Sequence, residues 1–230
     1  VQTIAGTGLS GFQDGGLGTS AFSRPTAVWW DKHRITGQNV LLVADQNGKA
    51  LRRIDLNTNT VFTYMGDSVG GYVNGFSHLV RFEFINSIRT HPSGYVYVCD
   101  RGNRAIRQIR FLELLPDMTL TYAGLLPDGQ VIGIPNSSYY ENLSGFTAKG
   151  DTEFYLSDQN LNWIRGLDDN NRMNGIDRYV AGSQNGMHGF IDGEPMDAQF
   201  FGPDGLWTDV QGRILVADKR NHVIRVIPMP

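Results

Sequence analysis

An aspartate that closes an apolar run, followed seven residues later by an arginine, occurs four times along this chain: Asp45/Arg52, Asp100/Arg107, Asp158/Arg165 and Asp218/Arg225. Repetition at this length restricts the fold more than any single motif, because units that cannot bury their own apolar faces are stable only against copies of themselves. The runs are copies as well: Leu42-Val43-Ala44-Asp45, Val96-Tyr97-Val98-Cys99-Asp100, Phe154-Tyr155-Leu156-Ser157-Asp158 and Ile214-Leu215-Val216-Ala217-Asp218. Upstream of each stands an aromatic with Pro or a bulky apolar residue at +3 and an apolar residue at +6, as Phe22/Pro25/Val28, Phe82/Ile85/Ile88, Tyr140/Leu143/Phe146 and Phe200/Pro203/Leu206. The aromatic precedes the Asp by 23 residues in the first copy and by 18 in the others, which places a five-residue insertion around Lys32 to Gln38. Downstream, a short run ends in glycine at Gly66, Gly124 and Gly182, and the same run, Thr3-Ile4-Ala5-Gly6, opens the chain.

Each unit therefore holds four short β-type segments separated by turn signals such as Pro92-Ser93-Gly94, Asp100-Arg101-Gly102-Asn103 and Gln211-Gly212. Four antiparallel strands at a period of 54 to 60 residues are the signature of propeller blades. Helical solenoids are excluded, since no 3.6-residue apolar periodicity runs across a unit. With 230 residues and 40% hydrophobic side chains the chain can bury a core as one all-β domain, 1–230. Its blade units are 21–66, 81–124, 139–182 and 199–230 plus 1–6. No stretch reaches the roughly 18 apolar residues of a membrane-spanning helix, and the first residues have neither the basic start nor the apolar run of a signal peptide.

The pattern of aromatic, two residues, Pro, apolar strand, Val-Ala-Asp and Asn-x-x-Ile-Arg resembles the NHL-repeat propeller family. Asp218-Lys219-Arg220-Asn221-His222-Val223-Ile224-Arg225 carries the resemblance best, and residues 100 to 107 nearly as well. It spans the whole chain. The linkers Phe12-Gln13-Asp14-Gly15, Tyr72-Val73-Asn74-Gly75 and Phe190-Ile191-Asp192-Gly193 are similar to those of bacterial and eukaryotic cell-surface members. The third unit departs furthest, with Leu161 in place of Asn and a linker keeping only Asp128-Gly129.

The glycine landmarks at 6, 66, 124 and 182 are spaced 60, 58 and 58 apart, so a fifth falls due near 240. Residues 1–6 match that missing outer strand, and the expectation is that they complete the last blade and remove a free sheet edge. The alternatives are a part of a larger, six-bladed ring, or donation of residues 1–6 to a neighbouring molecule.

The repeated Asp and Arg read as structure: a strand-end Asp caps the next turn, and an Arg bridges to a carboxylate or carbonyl between blades. Asp14-Gly15, Asn74-Gly75, Asp128-Gly129 and Asp192-Gly193 read as turns rather than calcium ligands, for no Asp-x-Asp-x-Asp run accompanies them. Zinc lyases among similar propellers gather histidines; here His33, His78, His91, His188 and His222 form no close-spaced pair, and no metal or cofactor is expected. No nucleophile elbow, phosphate loop or Cys/His dyad is present, and Asp168-Asp169 sits in a polar loop. Cys99, the single cysteine, reads as a small buried hydrophobe.

What remains for recognition is aromatic. Trp29, Trp30 and Trp207 fall on or just after inner strands and are the candidate binding residues. A net charge of −3 argues against nucleic acid, leaving Arg101, Arg104, Arg107 and Arg110 as the candidate face of an RNA-binding alternative. Sequons at Asn136 and Asn142, Gly/Asn-rich linkers and only four lysines point to an extracellular or surface location. The sequence thus reads as a non-enzymatic interaction or structural module with a protein partner or self-assembly. A metal-dependent propeller lyase or hydrolase is the competing enzyme reading.

Overall fold

The computed structural model describes all residues except 33–38, 92–93, 111–115, 127–130, 133–139, 151–152, 169–175, 184 and 230. The insertion at Lys32 to Gln38, the Asp128-Gly129 linker, the Pro92-Ser93 turn and Asn136 lie wholly or mostly outside the described residues.

The chain is all-β, and its architecture is that of a four-bladed β-propeller. The first sheet contains β1 (Gly15–Gly16), β2 (Pro25–Lys32), β3 (Asn39–Asp45), β4 (Ala50–Asp55) and β5 (Thr60–Met65). The second contains β6 (Gly75–Phe76), β7 (Ile85–Thr90), β8 (Val96–Asp100), β9 (Ala105–Arg110), β10 (Met118–Leu125) and β11 (Val131–Ile132). The third contains β12 (Leu143–Lys149), β13 (Glu153–Asp158), β14 (Trp163–Asp168) and β15 (Ile176–Ala181). The fourth contains β16 (Pro203–Thr208), β17 (Ile214–Asp218) and β18 (Val223–Ile227). Long strands neighbour one another in chain order, as hairpin connections require, and the short β1 and β6 add to the outer strands β5 and β10.

The repeat maps onto this plan residue by residue. The +3 position opens every innermost strand and lies opposite the strand-end Asp: Pro25↔Asp45, Ile85↔Asp100, Leu143↔Asp158 and Pro203↔Asp218. Proline is tolerated at 25 and 203 because it is the first residue of an edge strand and owes no ladder N–H. A bulge follows at the same place in all four sheets, between Pro25/Ala27, Ile85/Ser87, Leu143/Phe146 and Pro203/Leu206.

Two compact units contain these sheets. The first takes in Val1–Thr90, Gly94–Asn103 and Arg107–Leu120, the second His91–Ser93, Arg104–Ile106 and Thr121–Pro230. The first is filled chiefly by Leu42, Leu51, Met65, Phe82, Ile85 and Val98, with a smaller cluster of Val43, Ile54 and Val61. The second is filled by Tyr155, Ile164, Phe200, Leu206, Ile214 and Val216. Cys99 is fully buried on β8 as a small apolar filler, and that burial pushes its thiol well above the usual range.

One expectation is corrected. Residues 1–6 form no strand, and the fourth sheet has three strands among the described residues, not four. The Gly6 N–H donates to Leu17 O (2.8 Å) and the Thr7 N–H to Ser20 O (3.0 Å), tying the segment's end to the first unit's own linker. Val1 and Ile4 stay exposed, so the apolar burial expected to drive strand pairing is not realised.

The landmark glycines are required by contact. Gly66, Gly124 and Gly182 have φ of +88°, +121° and +114°, and a Cβ on Gly124 would lie 2.5 Å from Arg104 O. Gly124→Ala is expected to cost roughly 1–3 kcal/mol in backbone strain, plus the clash. Gly18→Ala, where φ is not positive and a Cβ meets nothing within 4 Å, is expected to cost no more than about 1 kcal/mol. Urea unfolding of both variants checks the difference.

Candidate functional site

The repeated arginine is the best-defined polar centre of each blade. Arg52 and Arg107 are wholly buried, and each is gripped through both terminal nitrogens. Arg107 Nη1 donates to Asp100 Oδ2 (2.8 Å) and Arg81 O (3.1 Å), while Nη2 donates to Val73 O (2.7 Å) and Asn74 Oδ1 (2.9 Å). Arg52 repeats this with Asp45, Ala21 O, Gln13 O and Asp14, and Arg225 with Asp218, Gln199 O, Ile191 O and Asp192. Two rings sandwich each guanidinium: Phe12 and Phe22 around Arg52, Tyr72 and Phe82 around Arg107, Phe190 and Phe200 around Arg225. In the third blade three rings, Tyr140, Trp163 and Tyr179, stand around Arg165.

The aspartates complete the centre from the other side. Asp100 accepts from the Glu83 N–H and the Asn103 amide as well as from Arg107. Asp45 accepts from the Ser23 N–H, Asp218 from the Phe201 N–H, and Asp158 from the N–H groups of Glu141, Asn142, Asn160 and Leu161. Burial pushes the Asp45 and Asp100 carboxyls above the ordinary carboxylate range, and the Arg and N–H donors pull against it.

These contacts refine the sequence reading. Arg52, Arg107 and Arg225 each join their blade's strands to the linker that precedes that blade. Asp14, Asn74 and Asp192 are ligands of a guanidinium as well as turn residues. The missed signal was the aromatic two residues before each of them, at Phe12, Tyr72 and Phe190.

The inner strands present a different surface. Trp29 is occupied: its Nε1 donates to Thr90 Oγ1 (2.7 Å) and the Arg89 guanidinium lies over its ring at 4.7 Å. Trp30 on β2 and Trp207 on β16 are each 55% exposed, and Val28 shares the Trp30 face of its strand. In the second unit Ser144 on β12 donates to Asp204 on β16, Lys219 Nζ donates to the same carboxylate (3.0 Å) and Gln159 Nε2 donates to Ser144 (2.8 Å). Burial opposes charge on Asp204, yet the Ser144 and Lys219 donors outweigh it and hold the carboxyl below its ordinary range. Sequence spacing gave no sign of this network, whose members are up to 75 residues apart.

Other candidates disperse. His91 packs on Phe154 and His188 on Phe201, His78 lies in a short 3-10 turn, and His222 adopts a left-handed turn conformation. His33 and residues 169–171 lie outside the described residues. Among the described residues no group of three or more His, Cys, Asp or Glu side chains is placed to hold a metal ion. Of the four arginines in the RNA alternative, Arg107 is buried and Arg110 lies over Tyr95 while its Nε donates to Gln108. The Asn142 amide nitrogen, where a glycan would attach, donates to Gln159 and Asn160.

Fold and repeated centre define a protein of the β-propeller type. No known protein-family profile matches the chain. It is 27% identical, over a 238-residue alignment covering 98% of its length, to Protein SUPPRESSOR OF QUENCHING 1, chloroplastic, from Arabidopsis thaliana, and spans 22% of that protein. An auxiliary nutrient binding protein from Bacteroides thetaiotaomicron superposes with a TM-score of 0.62 at 22% identity, covering 86% of this chain and 47% of that one. One from Bacteroides ovatus superposes at 0.52 with 14% identity, covering 100% and 76%, and virginiamycin B lyase from Staphylococcus aureus at 0.50 with 9%, covering 90% and 56%. These likenesses establish the fold. No helix among the described residues is long and apolar enough to cross a membrane.

The buried centre generates a stability contrast. Arg107→Ala strips a buried carboxylate of its partner and is expected to cost about 3–5 kcal/mol. Arg178→Ala, which removes a half-exposed pair with Glu153, is expected to cost no more than about 1 kcal/mol. Chemical denaturation of the two variants beside the parent measures both.

Proposed function

We propose that the chain is an NHL-type propeller module that binds a protein partner and does not transform it. The carrying observation is the pair of exposed indoles, Trp30 on β2 and Trp207 on β16, on a scaffold whose repeated Asp and Arg are buried within the blades. Exposed tryptophan on a rigid strand is suited to recognition, because it offers large apolar area at low conformational cost. The Trp207 face runs across its sheet through Leu215 to Val226, giving an apolar row in the second unit.

A peptide ligand selected from a displayed library on the immobilised chain tests this reading. Trp207→Ala is expected to lower the affinity of a ligand seated on the second unit about tenfold or more, and Trp30→Ala that of a ligand seated on the first, each with an unchanged thermal midpoint. Parent-level binding by both variants would overturn the assignment, and turnover of virginiamycin B would replace binding with catalysis.

The same proposal places the module outside the cell, on the strength of the two sequons and the low lysine content. Secretion from a eukaryotic host followed by peptide mapping is expected to find glycan at Asn136 or Asn142. Unmodified asparagine at both positions would remove this part of the proposal.

A further inference from the structure

The seventh position after each blade's leading aromatic holds Trp29, Arg89, Thr147 and Trp207, so the second blade alone puts a charge there. A residue that the other copies of the unit do without is not owed to the repeat, and breaks of this kind mark sites. Arg89 lies near the end of β7, the terminal strand of the second sheet, and reaches toward β2, the terminal strand of the first. Both strands belong to the first unit and are tied side by side. Thr26 Oγ1 donates to Ile85 O (3.0 Å) and Trp29 Nε1 to Thr90 Oγ1 (2.7 Å).

The Arg89 guanidinium is held in place but not neutralised. Its central carbon stands 4.7 Å from the centre of the Trp29 ring, and Nη1 donates to Ile88 O (2.7 Å). Among the described residues Nε and Nη2 have no acceptor, and no carboxylate is in ion-pair range. The buried arginines of the same unit are answered: Arg52 by Asp45 and Asp14, Arg107 by Asp100, and Arg53 by Asp55 at 3.6 Å. Burial pulls the Arg89 guanidinium below the ordinary arginine range, and one carbonyl and one ring face do not replace the hydration it has lost. Nε is shut off from water, as it is in Arg52 and Arg107, but Nη2 is not, so one donor stays open to an incoming acceptor.

We propose that Arg89 binds the carboxylate of a ligand at the innermost strands of the first unit, with Nη2 donating to it and the guanidinium held against the Trp29 ring. A carboxylate is the class that fits because one guanidinium balances one negative charge. A phosphate dianion needs a second cation, and none acts on Arg89 among the described residues. The carboxylate can belong to a free small acid or to an acidic side chain of a peptide, since both offer the same two oxygens. Trp30 and Trp207 take no part, so the outcome at the exposed indoles and the outcome here are independent.

Two measurements on the full chain test this. In heteronuclear NMR the Trp29 indole N–H resonance, identified by its absence from a Trp29→Phe chain, is followed while acetate replaces chloride at constant ionic strength. A saturable shift is expected for the parent, and Arg89→Met is expected to need about tenfold more acetate or to show no shift. A blocked Gly-Asp-Gly peptide, whose one carboxylate is a side chain, is titrated in the same way. A midpoint well below that of acetate assigns the carboxylate to a partner's acidic residue, and an equal midpoint assigns it to a free acid. No saturable shift with either probe, or the same midpoints in Arg89→Met as in the parent, would overturn the proposal. The second measurement is urea unfolding. Arg89→Met keeps an apolar stem beside Trp29 and removes a charge that no carboxylate of the described residues answers, so its midpoint is expected to match or exceed the parent's. A loss as large as that of Arg107→Ala would make Arg89 a prop of the fold and would overturn the assignment.

Discussion

Everything in this fold turns on a guanidinium that water cannot reach. Burying Arg52 or Arg107 removes its hydration, which is tolerable only if nearly every donor finds an oxygen and the planar faces find apolar or aromatic cover. The repeat supplies both: a strand-end aspartate, two carbonyls and a linker oxygen in the plane, and two rings above and below. Because those partners come from one strand end and the preceding linker, the linker is tied directly to the strands. The strand-end aspartate meanwhile accepts from backbone N–H groups just before the inner strand, which sets where that strand starts and where its bulge falls.

Much of this could be read from the residues. The seven-residue Asp-to-Arg spacing, the +3 position and the landmark glycine located strand ends to within a residue or two, since each marks a contact repeated in every blade. The direction of the arginine's bonds was harder to see, for an arginine side chain reaches equally well toward a neighbouring blade or back toward its own linker. Only the aromatic before Asp14, Asn74 and Asp192 separates those cases. The network of Ser144, Gln159, Asp204 and Lys219 was invisible because it belongs to one unit alone and breaks no local rule. The failed expectation for residues 1–6 has a different cause: likeness to an outer strand's sequence does not supply a partner strand, and these residues pair with none.

The candidate binding surface was legible only in part. Three tryptophans near inner strands were equivalent on paper, and strand alternation then divided them: Trp29 faces the packed side, with Thr90 and Arg89, and Trp30 the open one. The same alternation leaves Trp207 exposed. Since the scaffold's polar residues face inward, surface identity can change without touching the fold, which is how one propeller plan comes to sit under proteins described as nutrient binding and as a lyase.

The reach of each arginine into the preceding linker also defines the module that can be inherited. All contacts of Arg52 lie between Gly6 and Gly66, and all those named for Arg107 between Gly66 and Gly124. A segment running from one glycine to the next therefore carries its electrostatic clasp intact, whereas a cut made at the first long strand would separate the cation from half its ligands. Gene duplication or blade grafting that respects the glycine boundaries transplants that clasp whole.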